Sequence, residues 1–290
     1  MRLTANIDLH MHTRASDGTD PPEEILDRVR EAGIGLFSVT DHDTVKAAGI
    51  VPGLRREGDP VFITGVEFSC KDEEGQYHIL GYGYDPAAPA ILEMEEKGHR
   101  FRMEKLLERV SQLKSIFGFT FPNEEIACLQ ALDNPGKPHL GNLMVRLGYA
   151  ESKEAAIRDY INKTHIPGKH LRPEEAVRAI LRSGGIPVLA HPSYGRGDEL
   201  ILGPQMERRL RKLMDFGLQG VEAFYSGFTD RLREEILAFA EQYHLYITAG
   251  SDYHGANKLV RLGDTGLRPG TDLPEGLRRF LAEKAPDMIQ

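Results

Sequence analysis

The chain is expected to be an α/β protein, a distorted (β/α)7 barrel with an inserted helical cap domain, and three observations lead there. Short apolar runs alternate with amphipathic stretches over the first 85 residues, which is the pattern of β/α units on a mostly parallel sheet. That rhythm stops between residues 86 and 168, where apolar residues recur at helical spacing instead. It resumes after Pro173.

Seven strands are expected, at residues 3–9, 36–40, 61–66, 79–84, 186–190, 220–224 and 245–249. Pro21-Pro22-Glu23-Glu24 marks the start of the first helix, because proline suits the first turn and acids favour the positive end of the helix dipole. Ile25, Leu26 and Val29 supply its apolar face, and Gly33 lies past its end. In the middle region Leu106, Val110, Leu113 and Phe117 fall on one helical face, and Asp133-Asn134-Pro135-Gly136-Lys137-Pro138 has strong turn chemistry. A later helix over residues 174–182 is stopped by Gly184-Gly185 before an apolar strand. The expected division is a discontinuous barrel, residues 1–85 and 169–290, with the cap at 86–168.

Composition narrows the function. At 290 residues, 40% hydrophobic and 28% charged, the chain can bury a large core without disulfides. A net charge of −8 and a pI near 5.8 argue against a stable nucleic-acid complex, which needs a basic face to displace counterions. Cys70 and Cys128 form no C-x-x-C pair, so a thiolate zinc site is not indicated and a reducing, cytoplasmic setting is expected. No signal-peptide pattern and no apolar run of about 18 residues is found, so no membrane is expected as a partner.

Asp8-Leu9-His10-Met11-His12-Thr13 closes the first strand, and alternate residues of extended chain point the same way, so His10 and His12 can face one ion. With 11 histidines in the chain, chance alone gives about 0.4 such pairs, so this motif is weak by itself. Its weight comes from the other donors at strand ends. Asp17 follows strand one, His42 follows strand two, Glu67 closes strand three, His78 enters strand four, His191 closes strand five, and Asp252 and His254 follow strand seven. Loops at the C-terminal ends of barrel strands share one face, so these positions would converge. Imidazoles and carboxylates without thiolate suit Mn²⁺, Fe²⁺ or Zn²⁺, and nine donors are enough for two or three ions sharing a carboxylate such as Glu67. Asp8 and Asp41 read as groups that orient ligand imidazoles. Glu222 reads equally well as a buried acid with a structural partner, and His99, His170 and His244 as structural or surface histidines.

The ordered set Asp8-Leu9-His10-Met11-His12-Thr13, Ser16-Asp17-Gly18-Thr19-Asp20-Pro21-Pro22-Glu23-Glu24, Ser38-Val39-Thr40-Asp41-His42-Asp43-Thr44, Gly65-Val66-Glu67-Phe68-Ser69, Leu189-Ala190-His191-Pro192 and Gly250-Ser251-Asp252-Tyr253-His254 resembles the polymerase and histidinol phosphatase (PHP) family, in its stand-alone nucleotide phosphoesterase branch. The resemblance covers residues 1–85 and 170–265. It implies a seven-stranded barrel, a trinuclear metal centre and a helical insertion that closes over the substrate. It also implies one ion on His10, His12, Glu67 and Asp252, a second on Glu67, His78 and His191, and a third on Asp17, His42 and His254. Relatives in this branch carry G-R-x-H in the cap where this chain has Gly136-Lys137-Pro138-His139, so Lys137 and His139 are the expected phosphate contacts. A second basic segment, Asn162-Lys163-Thr164-His165-Ile166-Pro167, is an imperfect match that points to Lys163 or Lys169.

The expected activity is hydrolysis of phosphate monoesters of small nucleotides, 5′-AMP or 3′,5′-bisphosphonucleosides, by a metal-bound hydroxide. Asp252, His191 and a metal-bound water are the candidate proton donors to the leaving group. Trimming of short oligoribonucleotides from the 5′ end uses the same metals, and histidinol phosphate hydrolysis is a third possibility. From other classes come a non-catalytic metal-stabilised module and an amidohydrolase-like barrel. The latter usually needs a bridging lysine at a strand end, and none is suitably placed.

Overall fold

The computed structural model describes residues 3–195, 199–270 and 272–289. The chain begins with strand β1 (Asn6–Asp8), helix α1 (Ile25–Glu31), β2 (Ile34–Phe37), α2 (Lys46–Leu54), β3 (Val61–Phe62), β4 (Gly65–Lys71) and β5 (Gln76–Tyr82). Four helices follow: α3 (Pro89–Phe117), α4 (Asn123–Gln130), α5 (Lys137–Arg146) and α6 (Lys153–Asp159). Then come α7 (Pro173–Arg182), β6 (Ile186–Leu189), α8 (Gly203–Phe216), β7 (Gly220–Tyr225), α9 (Asp230–Gln242), β8 (Tyr246–Gly250) and α10 (Glu275–Lys284).

The protein is a mixed α/β fold, but its described strands form two sheets and not one closed barrel of seven. The first sheet has the order β1-β2-β3 and the second β4-β5-β6-β7-β8. The expected strand at 61–66 is two strands. Val61 and Phe62 pair with Leu36 and Phe37, whereas Gly65 onward pairs with β5, so the chain changes neighbour at Ile63-Thr64. Gly65 permits the crossing: a Cβ there would lie 2.1 Å from Ser38 Oγ and 2.7 Å from the Val39 carbonyl oxygen.

A second departure from the mostly parallel expectation is β5, which runs antiparallel to both β4 and β6. The alternation of apolar residues reports a strand and its buried face but not its direction, so the sequence could not show this. The reversal matters for the site. The beginning of β5, where His78 lies opposite Ser69, sits at the end of the sheet where the parallel strands finish.

Backbone bonds link the two sheets. Leu9 N donates to Ala249 O at 2.8 Å, Asp252 N to His10 O at 2.7 Å, and His12 N to Tyr253 O at 2.8 Å, which ties the end of β1 to the end of β8. Beyond β2, Glu67 N donates to Asp41 O at 3.2 Å and Asp43 N to Glu67 O at 2.9 Å. The ligand-rich segments are thus stitched to each other by the main chain. Gly250 lies in this seam, where a Cβ would come within 2.1 Å of His10 Cβ and 2.6 Å of Glu222 Oε1. Gly250→Ala is therefore expected to lower stability by about 1–3 kcal/mol, the usual penalty of overpacking. An unchanged urea midpoint would contradict that contact.

The large core gathers both faces of the second sheet with β1, α7, α8 and α10, and a smaller one lies under α1 and α2 around Met11, Ile25, Val29, Phe37 and Val51. A third cluster, including Leu106, Leu113, Leu140, Leu143, Met144 and Ile161, lies wholly within residues 106–161. Helix α3 joins these bodies: Ile91 and Met94 pack in the large core and Leu106 and Leu113 in the third cluster. It opens with proline at its first position and ends at Gly118, whose φ of +74° closes the helix by donating to Lys114 O. Glu95, nearly two turns inside α3, accepts from Thr44 Oγ1 at 2.7 Å and Val45 N at 2.8 Å and so fixes the helix to the loop that carries His42.

Candidate metal centre

His10 and His12 leave β1 on the same side, as extended geometry requires, with ring centroids 5.2 Å apart. Both are fully buried, and so is Glu67. Glu67 divides its oxygens between two sets of imidazoles. Oε2 lies 3.3 Å from His10 Nε2, 3.1 Å from His12 Nε2 and 3.1 Å from His42 Nδ1. Oε1 lies 2.9 Å from His78 Nδ1 and 3.2 Å from His191 Nε2.

Two aspartates complete the cluster. Asp252 Oδ1 is 3.3 Å from His12 Nε2, 3.4 Å from His254 Nδ1 and 3.5 Å from His10 Nε2. Asp17 Oδ1 is 3.2 Å from His254 Nε2 and 3.7 Å from His12 Nδ1. The structure therefore brings all nine expected ligand positions into one connected group. Three subsets have donor atoms mutually within 4.8 Å: His12, Asp17, His42 and His254; His10, His12 and Glu67; and His42, Glu67 and His78. This overlaps the division implied by the family resemblance and differs in giving His12 and His42 each two neighbourhoods. The cluster fits a cation on a second count. The Nε2 atoms of His10 and His12 are buried and have no hydrogen-bond partner, although carboxylate oxygens lie within 3.5 Å. Buried nitrogens in that state are unfavourable unless something else is ligated there.

Backbone strain gathers at the same place. His191 has φ +27° and Asp252 has φ +60°, conformations uncommon outside glycine and tolerated best by Asn, Asp and His.

The surrounding acids hold the ligands unequally. Glu222, fully buried in β7, accepts from His10 Nδ1 at 2.9 Å and from the His191 backbone N–H at 2.8 Å. It is thus the acid that orients a ring, the part the sequence suggested for Asp8 and Asp41. Neither of those makes a hydrogen bond to an imidazole. Asp41 accepts from Thr13 N, Thr13 Oγ1 and Ser16 Oγ at 2.6–2.7 Å, and Asp8 accepts from Ser251 N at 2.9 Å and Gly263 N at 2.8 Å, so both brace the backbone of ligand loops. The sequence signal for Glu222 was a lone acid in an otherwise apolar strand. His42 is held through Ser69 Oγ at 3.1 Å, and Arg102, paired with Asp43 at 2.6 Å, donates to that same hydroxyl at 2.9 Å. On the far side of Asp252, Oδ2 accepts from Tyr225 at 2.9 Å and from Lys258.

The electrostatics follow from packing six imidazoles around three buried carboxylates. Burial alone would raise the Glu67 pKa, but His42, His78 and His10 hold it well below the usual carboxylate range. Asp17 and Asp252 are held low in the same way. Burial opposes a charge on His12, yet Asp252 and Glu67 overcome it and raise its pKa to about 9; His10 is raised too, chiefly by Glu222 and Glu67. His42 goes the other way, to about 3, because burial outweighs its attraction to Glu67 and Asp17. His10 and His12 therefore carry protons at neutral pH in the metal-free protein, and imidazole must lose its proton to bind a metal. Mn²⁺ loading at pH 7.5 is expected to release about two protons, falling as the pH approaches the His12 pKa near 9. Calorimetry in buffers of different ionisation enthalpy measures this number, and zero would contradict the assignment.

Two cavities open on the cluster. One, of about 290 Å³, is lined by the ligand positions other than His10 and His12, together with Pro138, Lys153, Asn257 and Lys258. The other, of about 250 Å³, runs from Asp17, His42 and His78 toward Arg102, Lys105, Arg109, Lys137 and His170. Of the expected substrate residues, Lys137 lines this cavity and donates to Asn162 at 2.7 Å. His139 uses Nδ1 to accept from Gly136 N at 3.0 Å at the start of α5. Lys163 is exposed and Lys169 pairs with Glu104 at 3.0 Å, and neither lines the two cavities. The sequence reading missed Arg102, Lys105 and Arg109, because a charged face on a long helix reads as solvated surface.

An α/β body that gathers imidazoles and carboxylates around a shared glutamate, beside a basic cleft, defines a metal-dependent hydrolase of the phosphoesterase class. The chain belongs to the PHP domain family, whose model matches residues 8–163, more than half of its length. It is 32% identical over 263 residues to a 3′,5′-nucleoside bisphosphate phosphatase of Chromobacterium violaceum, covering 86% of this chain and 87% of that protein. It is 30% identical over 270 residues to the 5′-3′ exoribonuclease Rnm of Salmonella typhimurium, covering 88% and 87%. Among solved structures it superposes with a TM-score of 0.80 and 27% identity on a Bifidobacterium adolescentis protein assigned as a metal-dependent phosphoesterase, over 96% of each chain. Among the described residues no helix is long and apolar enough to cross a membrane.

Proposed function

We propose that the protein removes phosphate from small phosphorylated nucleotides, 5′-AMP or 3′,5′-bisphosphorylated nucleosides, at a centre of two or three divalent ions, Mn²⁺, Fe²⁺ or Zn²⁺. One observation carries this reading: the two oxygens of Glu67 face separate sets of imidazoles, the arrangement of a carboxylate shared between ions. The names of the Chromobacterium and Salmonella relatives support nucleotides as the substrate class. The linking bonds at Leu9, His12 and Glu67 support reading the two sheets as one distorted barrel, and the separate apolar cluster within residues 106–161 supports reading residues 86–168 as its cap. Two free cysteines are in keeping with a reducing, cytoplasmic setting.

Bound divalent ions would supply positive charge that lowers the pKa of water and neutralises phosphoryl oxygens. His10, His12, Asp17, His42, Glu67, His78, His191, Asp252 and His254 would hold them. Glu222 keeps His10 in the tautomer with Nδ1 protonated, leaving Nε2 free to ligate. Asp252 and His191 are the residues this reading assigns to the proton of the leaving group. Asp252 Oδ2 is connected through Tyr225 and Lys258 toward solvent, and His191 Nε2 lies at the rim beside Glu67 Oε1. Lys137 and His139 on α5 would meet the phosphate from the cap side. Burial holds His139 below its ordinary pKa, so it would do so as a neutral donor.

The test is phosphate release from 5′-AMP, adenosine 3′,5′-bisphosphate, a short 5′-phosphorylated RNA and histidinol phosphate, with Mn²⁺ and with chelator. Release that chelator abolishes is expected, fastest on a mononucleotide. A preference for the RNA would move the reading to 5′-end trimming, and no release from metal-loaded protein would overturn it.

A further inference from the structure

His42 differs from His10 in how its ring is supported. A buried carboxylate, Glu222, holds His10 directly, whereas His42 Nδ1 has, besides Glu67, the neutral hydroxyl of Ser69 at 3.1 Å. A serine side chain has three staggered rotamers, so it fixes a ring only where something fixes the serine. Arg102 of α3 does so: Nη2 donates to Ser69 Oγ at 2.9 Å and Nε to Asp43 Oδ2 at 2.6 Å. Asp43 Oδ1 in turn accepts from Ser69 N at 2.8 Å, which closes a ring of bonds through Asp43, Arg102 and Ser69.

One face of α3 makes this approach. Glu95, Gly98 and Arg102 are spaced three and four apart, so they lie above one another on the helix. Glu95 binds Thr44 and Val45, and a Cβ at Gly98 would lie 2.9 Å from Asp43 Cβ, so glycine lets the helix lie this close to the His42 loop. Asn134 grips the same loop by donating through Nδ2 to the His42 carbonyl. Arg102 also lines the second cavity, where an arginine would ordinarily be read as a contact for an anionic substrate. Its bonds give it another part. Its charge is paired with Asp43, the two side chains being 11% and 3% exposed, and its planar fork spans Asp43 and Ser69. Arginine only donates, so it occupies a lone pair of Ser69 Oγ; that hydroxyl then either accepts from His42 Nδ1–H or gives its own proton to Nδ1, and it holds the ring in both cases.

We propose that Arg102 is a positioning residue for His42: acting through Ser69 and anchored by Asp43, it fixes the imidazole in the orientation that ligates a divalent ion. This rests on the metal-centre reading and deepens it, because part of the support of one ion comes from α3, the first helix of the proposed cap. The cap side of the cleft and the occupancy of the His42 site are then coupled through a single side chain.

The test is a calorimetric titration of Mn²⁺ into metal-free protein, without substrate, for wild type, Arg102→Met, Ser69→Ala and the double variant. Arg102→Met is expected to weaken one class of Mn²⁺ sites by about 10- to 100-fold, the range for losing a group that orients a metal ligand, and to leave the other sites as in wild type. Ser69→Ala should give the same loss, and the double variant no more than either alone, because the two residues act through one bond. Arg102→Met also leaves the Asp43 carboxylate buried and unpaired, so Arg102→Met with Asp43→Asn is measured beside it. Asparagine suits the φ of +53° at position 43, and this pair removes both charges together. The same site-selective loss there, at wild-type Tm, supports the proposal. Additive losses, a fall at all sites in step with Tm, or a raised substrate KM at unchanged Mn²⁺ affinity overturns it, the last by making Arg102 a substrate contact. A wild type that takes up neither Mn²⁺ nor Zn²⁺ overturns the metal-centre reading and the proposal with it. A wild type that binds Mn²⁺ no more tightly than the variants overturns the proposal alone.

Discussion

Glu67→Gln is expected to lower kcat/KM by at least about 10³-fold and to leave the purified protein short of metal. The substitution keeps the shape of a side chain that is only 1% exposed, so the fold should survive by circular dichroism. What it removes is the one negative charge facing five imidazoles at 2.9–3.3 Å. If that charge is shared between ions, its loss removes several kcal/mol of stabilisation, and each 1.36 kcal/mol is tenfold in rate. Glu67→Ala should behave alike and add a cavity. Normal metal content and rate in a folded Gln variant would dismantle the site assignment.

Asp252→Asn is the second large effect, a loss of about 10²- to 10³-fold in turnover with the fold intact. Asparagine is one of the few residues besides aspartate at ease at φ +60°, so this change isolates the carboxylate from the backbone strain it sits on. The carboxylate faces His10, His12 and His254 through Oδ1 and Tyr225 and Lys258 through Oδ2. An amide cannot supply that charge to either side. Asp252→Ala should lose stability as well, and the difference in Tm between the two variants measures the conformational part. Asn variants with wild-type turnover would reduce Asp252 to a turn residue.

The donors of this site could be singled out from sequence because each stands next to a strand end, where a short polar motif interrupts an apolar run. His10-Met11-His12 and Asp252-Tyr253-His254 announce themselves in that way. The geometry that brings His78 to Glu67 could not be read so directly, since it depends on a strand running backwards, and alternation looks the same in both directions. The break at Ile63-Thr64 was hidden for a related reason: the apolar run is continuous although its hydrogen-bonding partner changes. Glu222 was visible but ambiguous, because a buried acid declares that it has a partner without declaring which one. Lys105 and Arg109 gave no signal at all. They line the second cavity because of what packs over α3, which is a tertiary fact.

The reversed strand also bears on how the molecule assembles in time. Glu67 and His78 are eleven residues apart and belong to one hairpin, β4–β5, whereas His10 and Asp252 are separated by 242 positions. Hairpins close in about 1–10 μs, and contacts between distant segments come later because a long loop must first be closed. Glu67 and His78 are thus expected to meet early in folding, as a local nucleus to which the remote donors are recruited. A divalent ion present during refolding would bias that recruitment, and refolding with Mn²⁺ should then outpace refolding with chelator.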